Sequence, residues 1–174
     1  IVDLSFAIKP TPEGTPESNA VGITYRSHAE GASSIEMLFA LPPSLLRRGE
    51  GWATEVITRL ETHGTTHIDA PWHYNSTVEG HKAQTIDELP LEWFFSDGVK
   101  LDFHEKEDGD AITVEDVKKE LARINYSLKP MDIVLMYTGR DIFYDQPDYI
   151  FKGCGVTAEA TRWLIESGIR VVGI

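Results

Sequence analysis

The sequence predicts an α/β fold, and three features of the chain carry that prediction. From Thr113 onward it reads helix, strand, helix, strand. That order implies parallel strands joined by a crossover. Two apolar runs, Ile133 to Tyr137 and Ile169 to Ile174, have the continuous character of strands buried on both faces. Before Thr113 the chain is richer in short strand-like segments and long loops.

Taken in order, Ile1 to Ala7 reads as a first strand. Lys9 to Ser18 holds Pro10, Pro12, Gly14 and Pro16, which is loop chemistry. Val21 to Arg26 reads as a second strand. Gly31 to Gly51 is mixed: the apolar patch Met37 to Leu41, closed by Pro42 and Pro43, suits a core, a subunit contact or a flap equally. Thr54 to Leu60 alternates and contains β-branched residues, so it is a strand. Gly64 and Pro71 argue against a long helix in the histidine-rich stretch that follows. Ile86 to Phe95 reads as a short irregular helix interrupted by Pro90, and Val99 to Phe103 as a short strand.

Thr113 to Ile124 is the clearest helix. Thr113 caps it, and Asp116 stands at capping-box spacing. Val114, Val117, Leu121 and Ile124 form one apolar stripe, with Lys118, Lys119 and Glu120 on the wet side. Thr157 caps a second helix over Ala158 to Ser167, and Gly168 suits its C-terminal cap.

The 174 residues suffice for one domain with a proper core, here taken as 1–174. The β-type run ending at Ile174 stops without a turn or polar tail, so that domain is expected to be incomplete at its C-terminus. Apolar content of 41% with 25% charged residues is an ordinary globular balance. A net charge of -12 repels phosphate backbones and anionic membranes, so neither nucleic acid nor a membrane is expected as partner. No long apolar run or signal peptide is present, and a cytoplasmic location is the expectation. Cys154 is the single cysteine; it forms no intrachain disulfide and reads as an inert small side chain.

The chemistry is concentrated in one stretch. Of six histidines, His63, His67, His73 and His81 fall close together. In an extended segment the side chains of His67 and Asp69, two apart, share a face. Gly64 lets the backbone bend, so His63 reaches the same point. Two imidazoles and a carboxylate suit a first-row divalent cation, and three protein ligands leave coordination positions open. Such an ion lowers the pKa of water to about 7 and polarises carbonyls. His73, beyond Pro71, is placed to carry protons, and its ordinary pKa suits that task near neutrality. Trp72 and Tyr74 flank it as pocket walls or as core. His28, His81 and His104 lack spacing partners and read as surface residues. Glu105, Glu107, Asp108 and Asp110 lack calcium-loop spacing and read as a solvated turn.

With these residues in view, the chain resembles the cyclase-type metal hydrolases, the family of bacterial kynurenine formamidase and isatin hydrolase. The family motif is H-x-G-T-H-x-D-x-P-x-H. His63, Thr66, His67, Asp69, Pro71 and His73 match it in identity and spacing. The family glycine is Thr65 here, with Gly64 one place earlier. Asp3-Leu4-Ser5, Tyr137-Thr138-Gly139-Arg140, Gly155-Val156-Thr157 and Val171 to Ile174 resemble flanking family elements, so the likeness covers nearly the whole chain.

The resemblance implies a β-barrel-like core with flanking helices, of the swivelling β/β/α type. It implies zinc, or manganese instead, held by His63, His67 and Asp69 as one or two ions per chain, with His73 as the catalytic acid–base. In two-metal members the remaining ligands lie after the strand that ends this sequence. It also implies a homodimer or homotetramer, and hydrolysis of a C–N bond in a small amide, an aryl formamide or a cyclic amide such as isatin. Lactone hydrolysis or polyketide-type cyclisation on the same metal is the alternative. Outside catalysis, a metal-binding protein without activity and an α/β domain with incidental histidines are the competing readings.

Overall fold

Three hydroxyl side chains decide where the longer helices begin, and each sits at a cap the backbone would otherwise leave unsatisfied. The computed structural model describes residues 2–174. The chain divides into two compact units, Ile1–His67 and Ile68–Ile174.

In the first unit, β1 (Val21–Arg26) pairs antiparallel with β2 (Thr54–Leu60), from Val21↔Leu60 to Arg26↔Thr54, with a register shift between Gly22 and Ile23. Both strands match the ranges read from sequence. Between them lies α1 (His28–Phe39). Its capping box is formed by Ser27 and Glu30: each side chain receives a backbone N–H of the other residue. The ambiguous Gly31 to Gly51 stretch is therefore mostly helix and short 3-10 turns, Pro43–Leu45 and Arg47–Gly49. The expected strand at Ile1 to Ala7 does not form in residues 2–7, and Ile1 lies outside the described residues. A strand needs a ladder partner. Here Ser5 N donates to Asp3 Oδ1 and Phe6 N to Thr66 Oγ1 instead.

The second unit opens with α2 (Pro71–Tyr74) and a small hairpin, β3 (Thr77–Val78) with β4 (His81–Lys82). Pro90 separates two 3-10 turns, Ile86–Glu88 and Leu91–Phe94, as its missing N–H requires. Then come β5 (Gly98–Asp102), β6 (Ala111–Ile112), α3 (Val114–Arg123), β7 (Ile133–Tyr137), β8 (Gly155–Val156), α4 (Ala158–Glu166) and β9 (Val171–Gly173). The sheet order is β5-β7-β9, all parallel, and β6 pairs parallel with β8. Thr113 and Thr157 cap α3 and α4 through the amides of Asp116 and Ala160. This is the α/β order read from sequence. The sheets are small and open, so the strands of the described residues do not close a barrel.

Leu101, Ile112, Val117, Val134, Leu164 and Ile169 form the centre of the core in this unit. Burial of such side chains contributes about 1.5–3 kcal/mol each. β7 is fully buried on one face, at Val134 and Met136, and half-covered on the other. β9 is an edge strand with Val172 exposed, not the doubly buried strand its apolar run suggests. Cys154 is buried, and desolvation pushes its thiol pKa up, in keeping with an inert role. Among the described residues no helix is long and apolar enough to cross a membrane.

Two charged residues depart from their expected roles. Glu120 does not belong to the wet side of α3: it is 7% exposed. Burial is tolerated because it accepts the Asp102 amide at 2.9 Å and Arg123 Nε and Nη2 at 2.7 Å each. His104 is half-exposed yet firmly engaged. Its Nδ1 lies 2.6 Å from Asp102 Oδ1 and its Nε2 2.7 Å from Glu105 Oε1. Ionised carboxylates only accept, so both ring nitrogens donate and the ring is an imidazolium. The hydrogen bond to Asp102 raises the His104 pKa above its ordinary 6.5 and lowers that of Asp102. The acidic turn is exposed but tied down, since Asp108 accepts from Arg140 Nε and Gly153 N at 2.8 Å each.

This pair sets a pH dependence. A raised histidine pKa contributes stability in full below the unfolded value of about 6.5 and loses it as pH rises through the folded value. The lowered Asp102 pKa contributes above the unfolded carboxylate value and is lost in acid. Thermal melts of wild type and His104→Gln are therefore expected to differ most between about pH 4 and 6.5, and to converge in mild alkali. A difference that grows toward alkali would contradict the imidazolium assignment.

Candidate metal centre

The site begins with a close approach. Thr62–Gly64 is a 3-10 turn that brings His63 round, with Gly64 N donating to Glu61 O at 2.9 Å. Gly64 is buried, and a Cβ there would fall 2.5 Å from Val21 Cγ2 and 3.0 Å from the Asn19 carbonyl oxygen. Its φ is not positive. Position 64 needs glycine for space rather than for the backbone freedom that sequence reasoning assigned to it. Asn19 Nδ2 donates to the His63 carbonyl at 3.2 Å and fixes the turn from the other side.

Beyond the turn the chain straightens. Thr65 is extended, at φ -155° and ψ -175°, a conformation open to any residue. Threonine in place of the family glycine therefore leaves the ligand spacing undisturbed. The His63 and His67 rings approach to 4.7 Å between centroids, tilted by 39°. His67 Nδ1 lies 2.7 Å from the Thr65 carbonyl oxygen. A carbonyl only accepts, so Nδ1 holds the proton and Nε2 keeps its lone pair for a ligand. One donor atom each from His63, His67 and Asp69 lies within 4.8 Å of the others. His63 and Asp69 are half-buried and His67 is exposed. Two imidazole nitrogens and a carboxylate oxygen at this separation fit a zinc- or manganese-type cation with coordination positions left over.

His73 stands outside this group, on α2, where Pro71 occupies the first position that proline favours. Its amide donates to the Ala70 carbonyl at 2.9 Å. Its ring meets Tyr74 edge-on, 5.0 Å between centroids at 84°. Trp72 and Tyr74 are not core residues: they are 47% and 76% exposed. Lys82 Nζ lies 5.8 Å from the Trp72 ring centre.

Three features of the site escape sequence reasoning. Asn19 is distant in sequence and carries no motif. Tyr74 carries its phenol within electrostatic reach of the Asp69 carboxylate. Burial, then the charge of Asp69, raises the Tyr74 phenol pKa. Thr65 Oγ1 is buried without a hydrogen-bond partner among the described residues. The acidic turn at 105–110 forms no converging donor group among the described residues.

Comparison with known proteins identifies the family. A family model described as "Putative cyclase" matches residues 2–174. The chain belongs to the cyclase family. A crystal structure of a novel cyclase is similar at a TM-score of 0.71 and 19% identity, over 97% of this chain and 64% of that one. Isatin hydrolase A from Ralstonia solanacearum is similar at 0.62 and 22%, over 98% of this chain and 63% of that one. An isatin hydrolase bound to the product analogue thioisatinate is similar at 0.55 and 16%, over 85% of this chain and 64% of that one. At these identities the likeness shows a shared α/β fold. The chain spans about two thirds of the length of these relatives, 63–64%. A sequence search of curated proteins gives no match.

Two substitutions probe the turn. Gly64→Ala is expected to destabilise the cyclase-family chain by about 1–3 kcal/mol through overpacking against Val21 and Asn19. Thr65→Val removes a buried hydroxyl without a partner and should gain about 1–3 kcal/mol. Denaturant midpoints at unchanged slope measure both; a loss at Thr65→Val would mean that the hydroxyl is satisfied in solution.

Proposed function

We propose that this chain is a metal-dependent hydrolase that cleaves the C–N bond of a small amide, an aryl formamide or a cyclic amide such as isatin. The observation that carries the proposal is the convergence of His63, His67 and Asp69 within 4.8 Å in a member of the cyclase family. The similarity to proteins named isatin hydrolases supports an amide as the substrate class.

His63, His67 and Asp69 would hold one divalent ion, zinc or manganese. Bound there, the ion supplies Lewis acidity, which polarises a carbonyl and makes water acidic near neutral pH. The chain's own groups perform the remaining tasks. The Thr65 carbonyl keeps His67 in the tautomer whose Nε2 is a donor to the ion. His73 is exposed and would face a substrate bound beside the donor group. Its imidazole takes the proton that water loses as the new C–O bond forms. It then returns that proton to the departing nitrogen as the C–N bond breaks. The exposed face of Trp72 beside it offers an aromatic surface to a planar substrate.

Assembly as a homodimer or homotetramer belongs to the same proposal. Exposed Met37, Leu38 and Phe39 on α1 support it, since a cluster of large apolar side chains is costly to leave in water. Light scattering measures the state directly.

The test pairs metal content with turnover on small amides and lactones. Wild type should bind zinc or manganese, and His67→Ala should lose both metal and activity. His73→Ala should keep the metal and lose about 10²–10⁴-fold in kcat. Full turnover in His73→Ala would remove it from the mechanism. Absence of metal in wild type, after loading with both ions, would overturn the proposal. A preference for lactones over every amide would replace C–N by ester cleavage.

A further inference from the structure

Two surface segments, one in each unit, combine exposed apolar side chains with charges of opposite sign. In the first unit α1 ends at Ala40, and the chain after it folds back along the helix. Gly51 N donates to the His28 carbonyl at 3.0 Å, and the Trp52 ring meets Phe39 edge-on at 6.3 Å between centroids. On this surface Met37, Leu38, Phe39 and Leu45 are 62–79% exposed. Arg47 and Arg48 stand beside them, exposed, and neither meets a carboxylate among the described residues. Arg48 holds φ 62° and ψ 10°, a left-handed conformation unfavourable to a residue with a side chain. In the second unit the segment 140–151 contains two 3-10 turns, Arg140–Phe143 and Tyr149–Phe151. Ile142 and Phe151 are 73% and 76% exposed there. Asp141 and Asp148 are exposed on the same segment, and Asp148 pairs with Lys152 at 3.1 Å.

A chain of net charge -12 repels a second copy of itself on average. Association then needs a place where the sign reverses locally, and Arg47 and Arg48 supply one. Apolar side chains beside unpaired cations suit a partner that is apolar and acidic at once. The segment 140–151 has both properties. Neither segment suits itself as partner, because arginine would then meet arginine, or aspartate meet aspartate. We propose that the surface at 37–48 of one copy docks on the segment 140–151 of a second copy. Apolar side chains form the centre of the contact, and Arg47 and Arg48 face the aspartates at its rim. Each copy carries both halves, so the contact closes as a dimer or a small ring. The inference deepens the homo-oligomer reading given above, and rests on it, by naming the two surfaces that meet.

Charge reversal on each side, and on both together, tests the match. Light scattering gives the mass of the full chain, and sedimentation over a concentration series gives the dissociation constant. Wild type is expected to be an oligomer. Arg47→Glu with Arg48→Glu should raise the dissociation constant about 10-fold or more, and so should Asp141→Arg with Asp148→Arg. The four substitutions combined should recover most of the wild-type affinity. Leu38→Ser should weaken association with no change of charge. All five side chains are exposed, so the far-ultraviolet circular dichroism of every variant should match wild type. An oligomer that ignores the aspartate reversals would overturn this interface and leave the homo-oligomer reading intact. A fourfold variant no tighter than the double variants would overturn the complementarity. A wild type that stays monomeric at every concentration would remove both readings. If that monomer instead sediments with phosphatidylserine–phosphatidylcholine vesicles, and the arginine reversals abolish this, the surface at 37–48 serves lipid and the proposal falls.

Discussion

The candidate site depends on a steric constraint: position 64 has no room for a side chain. Val21 and Asn19 close over it, so the turn carrying His63 lies against the start of β1. The strand pair β1–β2 is ordinary secondary structure, but it gives that turn a surface to rest on. An imidazole on an unsupported loop would sample many positions, and each sampled position costs affinity for a ligand that needs one. Close backbone approach replaces that freedom with a single arrangement. His67 is then fixed by a main-chain carbonyl two residues before it.

Sequence reasoning reaches those parts whose signals are local. Alternation and β-branching mark β2, and hydroxyl caps mark α3 and α4. The histidine spacing is legible because i and i+2 positions share a face in extended chain. Where the signal is local but faint, it is missed. The Ser27 and Glu30 box starts α1, yet the exposed apolar run Met37 to Phe39 obscures the helix behind it. Tertiary facts are out of reach. Nothing in the sequence of residues 2–7 says that they lack a strand to pair with among the described residues. Nothing in α3 says that Glu120 will be buried by an amide from β5 and by Arg123. The approach of Tyr74 to Asp69 and the unpartnered Thr65 hydroxyl belong to the same class. The barrel implied by resemblance also lies beyond local pattern; the strands of the described residues form small, open sheets.

The second unit shows how a strongly acidic chain organises its carboxylates. Glu120, Asp102, Glu105 and Asp108 each face a cation or a backbone amide. They link α3, the end of β5 and the turn after it to the segment following β7. This arrangement keeps negative charge from concentrating at one point of the sheet's C-terminal edge. Acidic clusters without such partners would repel and loosen the turn. The network is structural work, separate from the donor group at 63–69.

The acceptor that orients His67 is a main-chain carbonyl, and this bears on how the site tolerates variation. A main-chain acceptor survives every substitution at its own position. Residue 65 can therefore change while the tautomer of His67 stays the same. The orientation of His67 is thus buffered against drift at the residue that supplies its acceptor.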